Sequence, residues 1–392
     1  MNPREFRPGT YAIGVQDWGR RLFDSLIPLP DGTSYNSYLI QGSEKTAIID
    51  SVDPAFADVY LDKIKDFKKV DYLISLHTEQ DHSGSIPHLH KLFPDAPIIC
   101  STKAKALLID HLGLPADKLR PVEDGEVLSL GDKSLKFFHM PWVHWPETMV
   151  AYMPEQKILF SCDFLGSHSA GSSLFDDNDP CIMESAKRYY AEIMMPFKGA
   201  IKGHLQKVRE LDIEFVAPSH GPIWNNPERI ISAYEDWVSD RVENKVLLPY
   251  VSMHGSVEQM VQHLTTELVK RGVDVELFDL TVADTGKLAM AMVDAATIVV
   301  GAPTLLVGPH PLVAYAAILA NALKPKAPFL AIIGSYGWAT QAEKKLLELM
   351  SNLKPEYLGA ILCKGLPKAS TLDELTQLAE TIAAKHKERI QA

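Results

Sequence analysis

The chain has 392 residues, enough for two or three domains at roughly 150 residues each, and a single small module is excluded. Hydrophobic residues make up 46% and charged residues 23%, the balance of a folded globular chain and not of a disordered one. A set of 39 basic against 50 acidic side chains leaves a formal charge of −11, which repels nucleic-acid phosphates and anionic membrane surfaces, so neither is expected as a partner.

The N-terminal stretch MNPREFRPGTYAIG carries charges where a signal peptide needs its apolar segment, and no run of 18 apolar residues follows, so a cytoplasmic location is expected. Cysteines 100, 162, 181 and 363 form no Cys-x-x-Cys pair; they are expected reduced and mostly buried, and they argue against an iron–sulfur or rubredoxin-type site. TAIIDSV (46–52) and VDYLISL (70–76) read as strands, the second emptying into the polar segment HTEQDHSGS. Further short strands are predicted at 97–100, 134–140, 148–153 and 157–161, separated by turn signals such as EDGE and GDKS. The stretch 181–209 is helical, DIEFVAP (212–218) is a strand, and a helix runs on to about 243, where SDRVENK (239–245) marks the boundary between domains 1–243 and 244–392.

Beyond it strands and helices alternate strictly: KVLLPYV, helix 256–272, VDVELFDL, helix 284–294, ATIVVGAP, helix 311–322, APFLAIIGS, helix 339–352, YLGAILC, helix 371–388. Strands joined by helices of this length form a parallel sheet, and five of them fit a flavodoxin-like doubly wound fold.

The densest chemical signal is His77-Thr-Glu79-Gln-Asp81-His82 directly after an apolar strand. Alternation places 77, 79 and 81 on one side of an extended loop, and His82 swings back toward the same point. His144 in MPWVHWPET, Asp163 in LFSCDF and His220 in VAPSHGP each follow a predicted strand, which makes seven ligands for two metals. The pattern resembles the metallo-β-lactamase fold, whose loop normally reads H-x-H-x-D-H and binds zinc; here Glu79 stands for the second histidine. A carboxylate beside imidazoles shifts preference toward iron or manganese. With Glu79 and a flavodoxin-like second half, the chain is identified as a member of the flavodiiron family, also called A-type flavoproteins, over nearly its whole length.

That resemblance implies an N-terminal metallo-β-lactamase-like αββα sandwich followed by the flavodoxin-like sheet. It assigns His77, Glu79 and His144 to one iron and Asp81, His82 and His220 to the other, with Asp163 bridging. Three carboxylates against two ferrous ions leave about +1, which one bridging hydroxide neutralises. The resemblance implies an oxidoreductase that reduces O2 to water, NO to nitrous oxide, or both, fed by a separate electron donor such as a rubredoxin-like protein or another reductase. It further implies a head-to-tail homodimer, or a dimer of dimers, that brings one chain's flavin to the other's irons.

Three loops at strand ends carry the flavin expectation. Ser252, Met253, His254, Gly255, Ser256 and Val257 join a strand to a helix N-terminus, where backbone N–H groups and the helix dipole favour phosphate. By resemblance to the family's flavin mononucleotide (FMN) site, Pro303, Thr304, Leu305 and Leu306 flank the isoalloxazine ring together with Ser335, Tyr336, Gly337 and Trp338. Val257 and Leu306 stand where many relatives have threonine and asparagine, so two side-chain hydrogen bonds to the flavin are missing. His88, His90, His168, His204 and His263 are given no role, and His139 is assigned to core packing. Two other readings are a dinuclear zinc hydrolase with a flavodoxin-like domain and a non-catalytic flavin electron carrier. The stretch RRLFDSLIPLP (20–30), which resembles the segment over the irons, contains no histidine or tyrosine and does not separate O2 from NO.

Overall fold

The β-branched runs of the first half pair into two sheets in the computed structural model, which describes residues 2–391. By contact density the chain divides into two units, one of Met1–Tyr190 with Phe197–Val238, the other of Ala191–Pro196 with Ser239–Ala392. In the first unit one sheet runs in the order Arg4–Arg7, Thr10–Ala12, Tyr38–Gln41, Thr46–Ile49, Tyr72–Ile74, Ile98–Ser101, Leu119–Val122. It is antiparallel up to Thr46–Ile49 and parallel from there on. The second sheet runs Val127–Ser129, Ser134–His139, Met149–Met153, Ile158–Cys162, Phe215–Pro218 and turns parallel only at its last pair.

Ile40, Ile49 and Leu76 from the first sheet and Phe137, Ala151 and Phe160 from the second share one buried cluster, so the core lies between the sheets. Helices Ala57–Ile64, Ile86–Leu92 and Ala104–Leu112 cover the outside of the first sheet through Tyr60, Ile64, Leu89 and Leu108. Helices Lys198–Arg209 and Pro227–Val238 bury Ile201, Leu205 and Tyr234, the last against Phe164 at a ring separation of 5.5 Å. This is the expected αββα sandwich. Short N-terminal strands between Arg4 and Gln41 were not anticipated.

The second unit holds five parallel strands in the order Asp274–Asp279, Glu243–Tyr250, Ala295–Leu305, Phe329–Tyr336, Glu356–Lys364. Numbered along the chain this is 2-1-3-4-5, the flavodoxin-like order, whose direction of winding reverses beside Glu243–Tyr250. Helices Ser256–Lys270 and Ala369–Gln391 pack on one face through Val261, Leu264, Leu375 and Ala379.

The C-terminal helix is pinned by a buried histidine. Asn244 Nδ2 donates to Gly272 O at 2.7 Å, which leaves Asn244 Oδ1 to accept from His386 Nδ1–H at 2.9 Å; His386 Nε2 then accepts from the Thr297 hydroxyl at 2.7 Å. A proton on Nε2 would break the last bond, and burial holds the imidazole down to about 4 from 6.5. The unfolded chain therefore binds this proton first. Stability is full above pH 6.5 and falls as pH drops toward 4, with a slope of up to about 1.4 kcal/mol for each pH step of one. His386→Leu is expected to cost about 1–3 kcal/mol at neutral pH, by stranding Thr297 and Asn244, and to flatten this acid slope. Urea unfolding from pH 7.5 to 4 checks it; an unchanged slope in the variant would count against it.

Candidate metal centre

The seven predicted ligands arrive from separate strand ends of the first unit. His77 follows Tyr72–Ile74, Asp163 follows Ile158–Cys162 and His220 follows Phe215–Pro218. At Cys162 the pairing slips against Pro218 and the backbone turns left-handed (φ +54°), which ends the strand and swings Asp163 out of it. The motif after His77 is not the extended loop expected from its alternation. Glu79 is extended, but its carbonyl accepts from His82 N–H at 3.0 Å and Ser83 N–H at 2.9 Å, and Gln80–Ser83 forms a helical turn. Asp81 and His82 thus enter the site from one turn of helix.

His77, Glu79, His144 and Asp163 have ligand atoms all within 4.8 Å of one another, and Asp81, His82 and His220 form a second such group. Asp163 joins the two. Its Oδ2 lies 3.5 Å from His77 Nε2 and 3.4 Å from His144 Nε2, while its Oδ1 lies 3.0 Å from His82 Nε2 and 3.3 Å from His220 Nε2. Glu79 Oε2 completes the first group at 3.3 Å from His77 Nε2 and 3.1 Å from His144 Nε2. Asp81 completes the second, 3.4 Å from His82 Nε2 and 3.2 Å from His220 Nε2.

An ion about 2.1 Å from two donors at roughly 90–110° holds those donors about 3.0–3.4 Å apart, which is the spacing found here. Both oxygens of Asp81, both of Asp163 and Nε2 of His82 are buried without a hydrogen-bond partner, a costly arrangement unless cations occupy the space between them. The residues therefore fit two metal ions. Burial alone would lower the imidazole pKa values, yet the nearby carboxylates of Asp163 and Asp81 carry His220 up to about 10, and those of Asp163 and Glu79 carry His144 to about 9. Burial would likewise raise Asp163, but the charge on His82 and the close approach of the His144, His220 and His82 imidazoles hold it well below the usual range. Protons and metals compete for one strongly negative pocket.

With three carboxylates among the seven donors, the set suits iron or manganese better than zinc. Glu79→His removes one of those charges and supplies a third imidazole to the first group. It is expected to raise the zinc share of protein grown in mixed metals several-fold, read by elemental analysis; an unchanged iron content would place selectivity elsewhere.

Sequence reasoning passed over two residues at this centre. Glu147, three places after His144, receives His77 Nδ1–H at 2.7 Å; nothing local marks it, because its partner is 70 positions away. His168, given no role and assigned to an irregular or helical polar stretch, is in fact buried. Its ring lies 4.9 Å from that of His220 and 5.2 Å from that of Phe23, and its Nδ1 is 2.9 Å from Thr33 Oγ1. Phe23 brings the 20–30 stretch beside His220 at 6.4 Å. His263, assigned no role, is half-buried and 2.9 Å from Thr376 Oγ1, while His139 is 3.0 Å from Val122 O. Cys100, Cys162 and Cys363 are buried and unpaired, and Cys181 is exposed.

In the second unit the three predicted loops sit at the carboxyl ends of the adjacent strands Glu243–Tyr250, Ala295–Leu305 and Phe329–Tyr336. Gly255 caps helix Ser256–Lys270 in the left-handed conformation (φ +82°), and Ser252 Oγ accepts from Glu258 N–H at 3.2 Å. The side chain of Val257 is buried in the core of the unit, so of this residue only the backbone N–H is left toward the loop. Leu306 (φ +48°) and Val307 (φ +70°) make a two-residue turn that returns Thr304 against Pro309, a conformation that favours Asn-Gly and leaves Leu306 82% exposed. Thr304 Oγ1 lies 2.7 Å from Thr340 Oγ1, which ties the second loop to the third. Met253, His254, Leu305 and Trp338 are exposed at the same strand ends.

A family model described as ODP family beta lactamase matches residues 33–221, which span the candidate ligands from His77 to His220. The chain is 35% identical over 394 residues to a nitric oxide reductase of Moorella thermoacetica, covering 98% of each chain. Among solved structures it is similar to the rubredoxin oxygen:oxidoreductase of Desulfovibrio gigas (TM-score 0.96, 28% identity, 100% of each chain). It is similar as well to the flavodiiron protein of Giardia intestinalis (TM-score 0.91, 27% identity, 100% of this chain and 98% of that one). Among the described residues no helix is long and apolar enough to cross a membrane.

Proposed function

Because the chain belongs to the flavodiiron family, whose members combine a diiron centre with a flavin, we propose that it is an oxidoreductase reducing O2 to water, NO to nitrous oxide, or both. The observation that carries this reading is Asp163, whose two oxygens each face two imidazoles of a different ligand group. His77, Glu79 and His144 would hold one iron, Asp81, His82 and His220 the other, with Asp163 bridging. Ser252 to Val257 would hold the phosphate of FMN, and Pro303 to Leu306 with Ser335 to Trp338 would flank its ring. Residues 1–243 thus carry the metal chemistry and 244–392 the flavin.

When bound, the two groups supply the electrons, two from the diferrous pair and two from reduced flavin, which complete O2 + 4e⁻ + 4H⁺ → 2H2O, while two suffice for 2NO + 2e⁻ + 2H⁺ → N2O + H2O. The protein fixes and charges the pocket. Tyr189 and Phe23 set their rings against His220, at 6.0 and 6.4 Å, and close that side of the pocket. Glu79 and His144 retain 13% and 17% side-chain exposure against 0–4% for the other five ligands, which leaves their side as the approach for a small diatomic molecule.

The electron donor is a separate protein, rubredoxin-like or another reductase, a choice supported by the name of the Desulfovibrio relative. The working unit is a head-to-tail homodimer or a dimer of dimers in the cytoplasm. Anaerobic reduction of the purified protein followed by rapid mixing with O2 or NO tests the activity. Fast reoxidation of flavin and iron by either gas is expected. A protein holding two irons and FMN that reacts with neither would leave the electron-carrier reading, and two zinc ions without flavin would favour the hydrolase.

A further inference from the structure

Glu147 is buried beside the metal ligands without being one of them. Its backbone is fixed: its carbonyl accepts from Ser101 Oγ–H at 2.7 Å, and the same hydroxyl oxygen accepts from Ala104 N–H at 3.2 Å where helix Ala104–Leu112 begins. Its Oε1 accepts three donors, His77 Nδ1–H at 2.7 Å, Thr78 N–H at 3.1 Å and Thr78 Oγ1–H at 2.7 Å. Three donors on one oxygen are the surroundings of a carboxylate anion. Its other oxygen, Oε2, is buried with no hydrogen-bond partner.

The two nitrogens of His77 are thereby divided. Nε2 faces Glu79 and Asp163, and Nδ1–H is committed to Glu147, with the edge of Trp145 holding the ring from the side at 5.0 Å and 88°. His220 is backed differently: its Nδ1–H donates to the neutral carbonyl of Ser34 at 2.6 Å. The other buried carboxylate nearby, Asp50, accepts from Leu76 N–H at 2.7 Å with Oδ1 and from the Ser219 hydroxyl at 3.2 Å with Oδ2. A carboxylate on Nδ1–H draws that proton toward itself and makes Nε2 the stronger donor, an effect that favours ferric over ferrous iron.

We infer that Glu147 is a positioning residue of the metal centre: acting through His77, it strengthens the hold on the iron of the first group and lowers the reduction potential of the pair. The inference rests on the diiron reading above.

The test uses the full-length holoprotein and its metal-stripped form, with ferrous iron as the probe. Glu147→Gln keeps the shape and removes the charge. It is expected to lose iron to a chelator about 10–100-fold more readily, to shift the diiron midpoint to more positive potential, and to leave the flavin midpoint where it was. Metal-free Glu147→Gln loses its charged partner for His77 and should melt lower than metal-free wild type, and with iron bound the deficit should be larger, because its stabilisation by iron shrinks as well. Glu147→Asp, which keeps the charge, should hold the midpoint nearer to wild type. Thr78→Val removes one competing donor from Oε1, strengthens the bond to His77, and is expected to move the midpoint in the opposite direction. Equal iron retention and equal midpoints in Glu147→Gln and Thr78→Val would overturn the inference. So would an equal loss of stability with and without iron, which marks a mere brace. Failure of wild type to take up two irons in the same titration would instead defeat the diiron reading.

Discussion

Asp163→Asn is expected to strip iron from both metal positions, leaving well under one-tenth of wild-type iron per chain and of wild-type activity. The argument is geometric first. Oδ2 of Asp163 faces His77 and His144, and Oδ1 faces His82 and His220, so the two oxygens serve different ligand groups. Asparagine offers one neutral oxygen and an amide nitrogen that cannot ligate, so one group loses its shared donor and both lose a charge. Ligand carboxylates then number two against two divalent ions. Glu79→Gln is the discriminating control: it removes the same charge from the first group alone, and iron at the second position should survive. The metal-free protein responds too. Four imidazoles surround Asp163, and deleting one partner of a buried ionic cluster typically costs about 3–5 kcal/mol. Elemental analysis and melting with and without added iron read both effects. Two irons and full activity in Asp163→Asn would remove the bridge, and with it the main support for the diiron assignment.

The parts legible in the sequence were those with short-range causes. The strict strand–helix alternation after residue 243 reflects one repeated local unit, and the order 2-1-3-4-5 is one of the common doubly wound arrangements of such units. The seven candidate ligands were legible because His77, Asp163 and His220 follow the ends of apolar strands and Glu79, Asp81 and His82 crowd within five residues of the first of them. The strands Arg4–Arg7, Thr10–Ala12 and Val15–Asp17 were not, being three or four residues long, the last two paired with Tyr38–Gln41 and Thr33–Tyr35 further along the chain. Glu147 and His168 escaped for the same reason: their roles depend on contacts 70 and 135 positions away, with His77 and Thr33. The helical turn at Gln80 overrode an alternation pattern that reads as extended, because the Glu79 carbonyl found two N–H partners just downstream. Val257, read as lacking a side-chain hydrogen bond to the flavin, has its side chain in the core, a placement that the sequence did not show.

Gly255→Asp is expected to weaken FMN binding by roughly a thousand-fold while leaving the second unit folded, and the two effects separate charge from shape. A Cβ at Gly255 meets no atom within 4 Å, so steric exclusion is not the reason for glycine there. The backbone is left-handed at φ +82°, which costs an ordinary side chain about 1 kcal/mol but is tolerated by Asp better than by most. Gly255 also caps helix Ser256–Lys270, and an aspartate at that position favours a helix through its dipole and its first N–H groups. The helix therefore gains what the phosphate loses. Two like charges about 4 Å apart repel by about 4 kcal/mol at an effective dielectric of 20, which corresponds to roughly a thousand-fold in Kd. Gly255→Ala carries the strain without the charge, so it should bind FMN within a few-fold of wild type. Quenching of flavin fluorescence on titration into metal-loaded, flavin-free protein reads the affinity, and thermal unfolding reads the fold. If Asp and Ala at 255 bind FMN equally well, the phosphate does not sit at this helix end, and the flavin loops must be assigned anew. If Gly255→Asp loses FMN and keeps its melting temperature, the loop 252–257 is a phosphate cradle made by backbone and helix dipole, independent of its side chains.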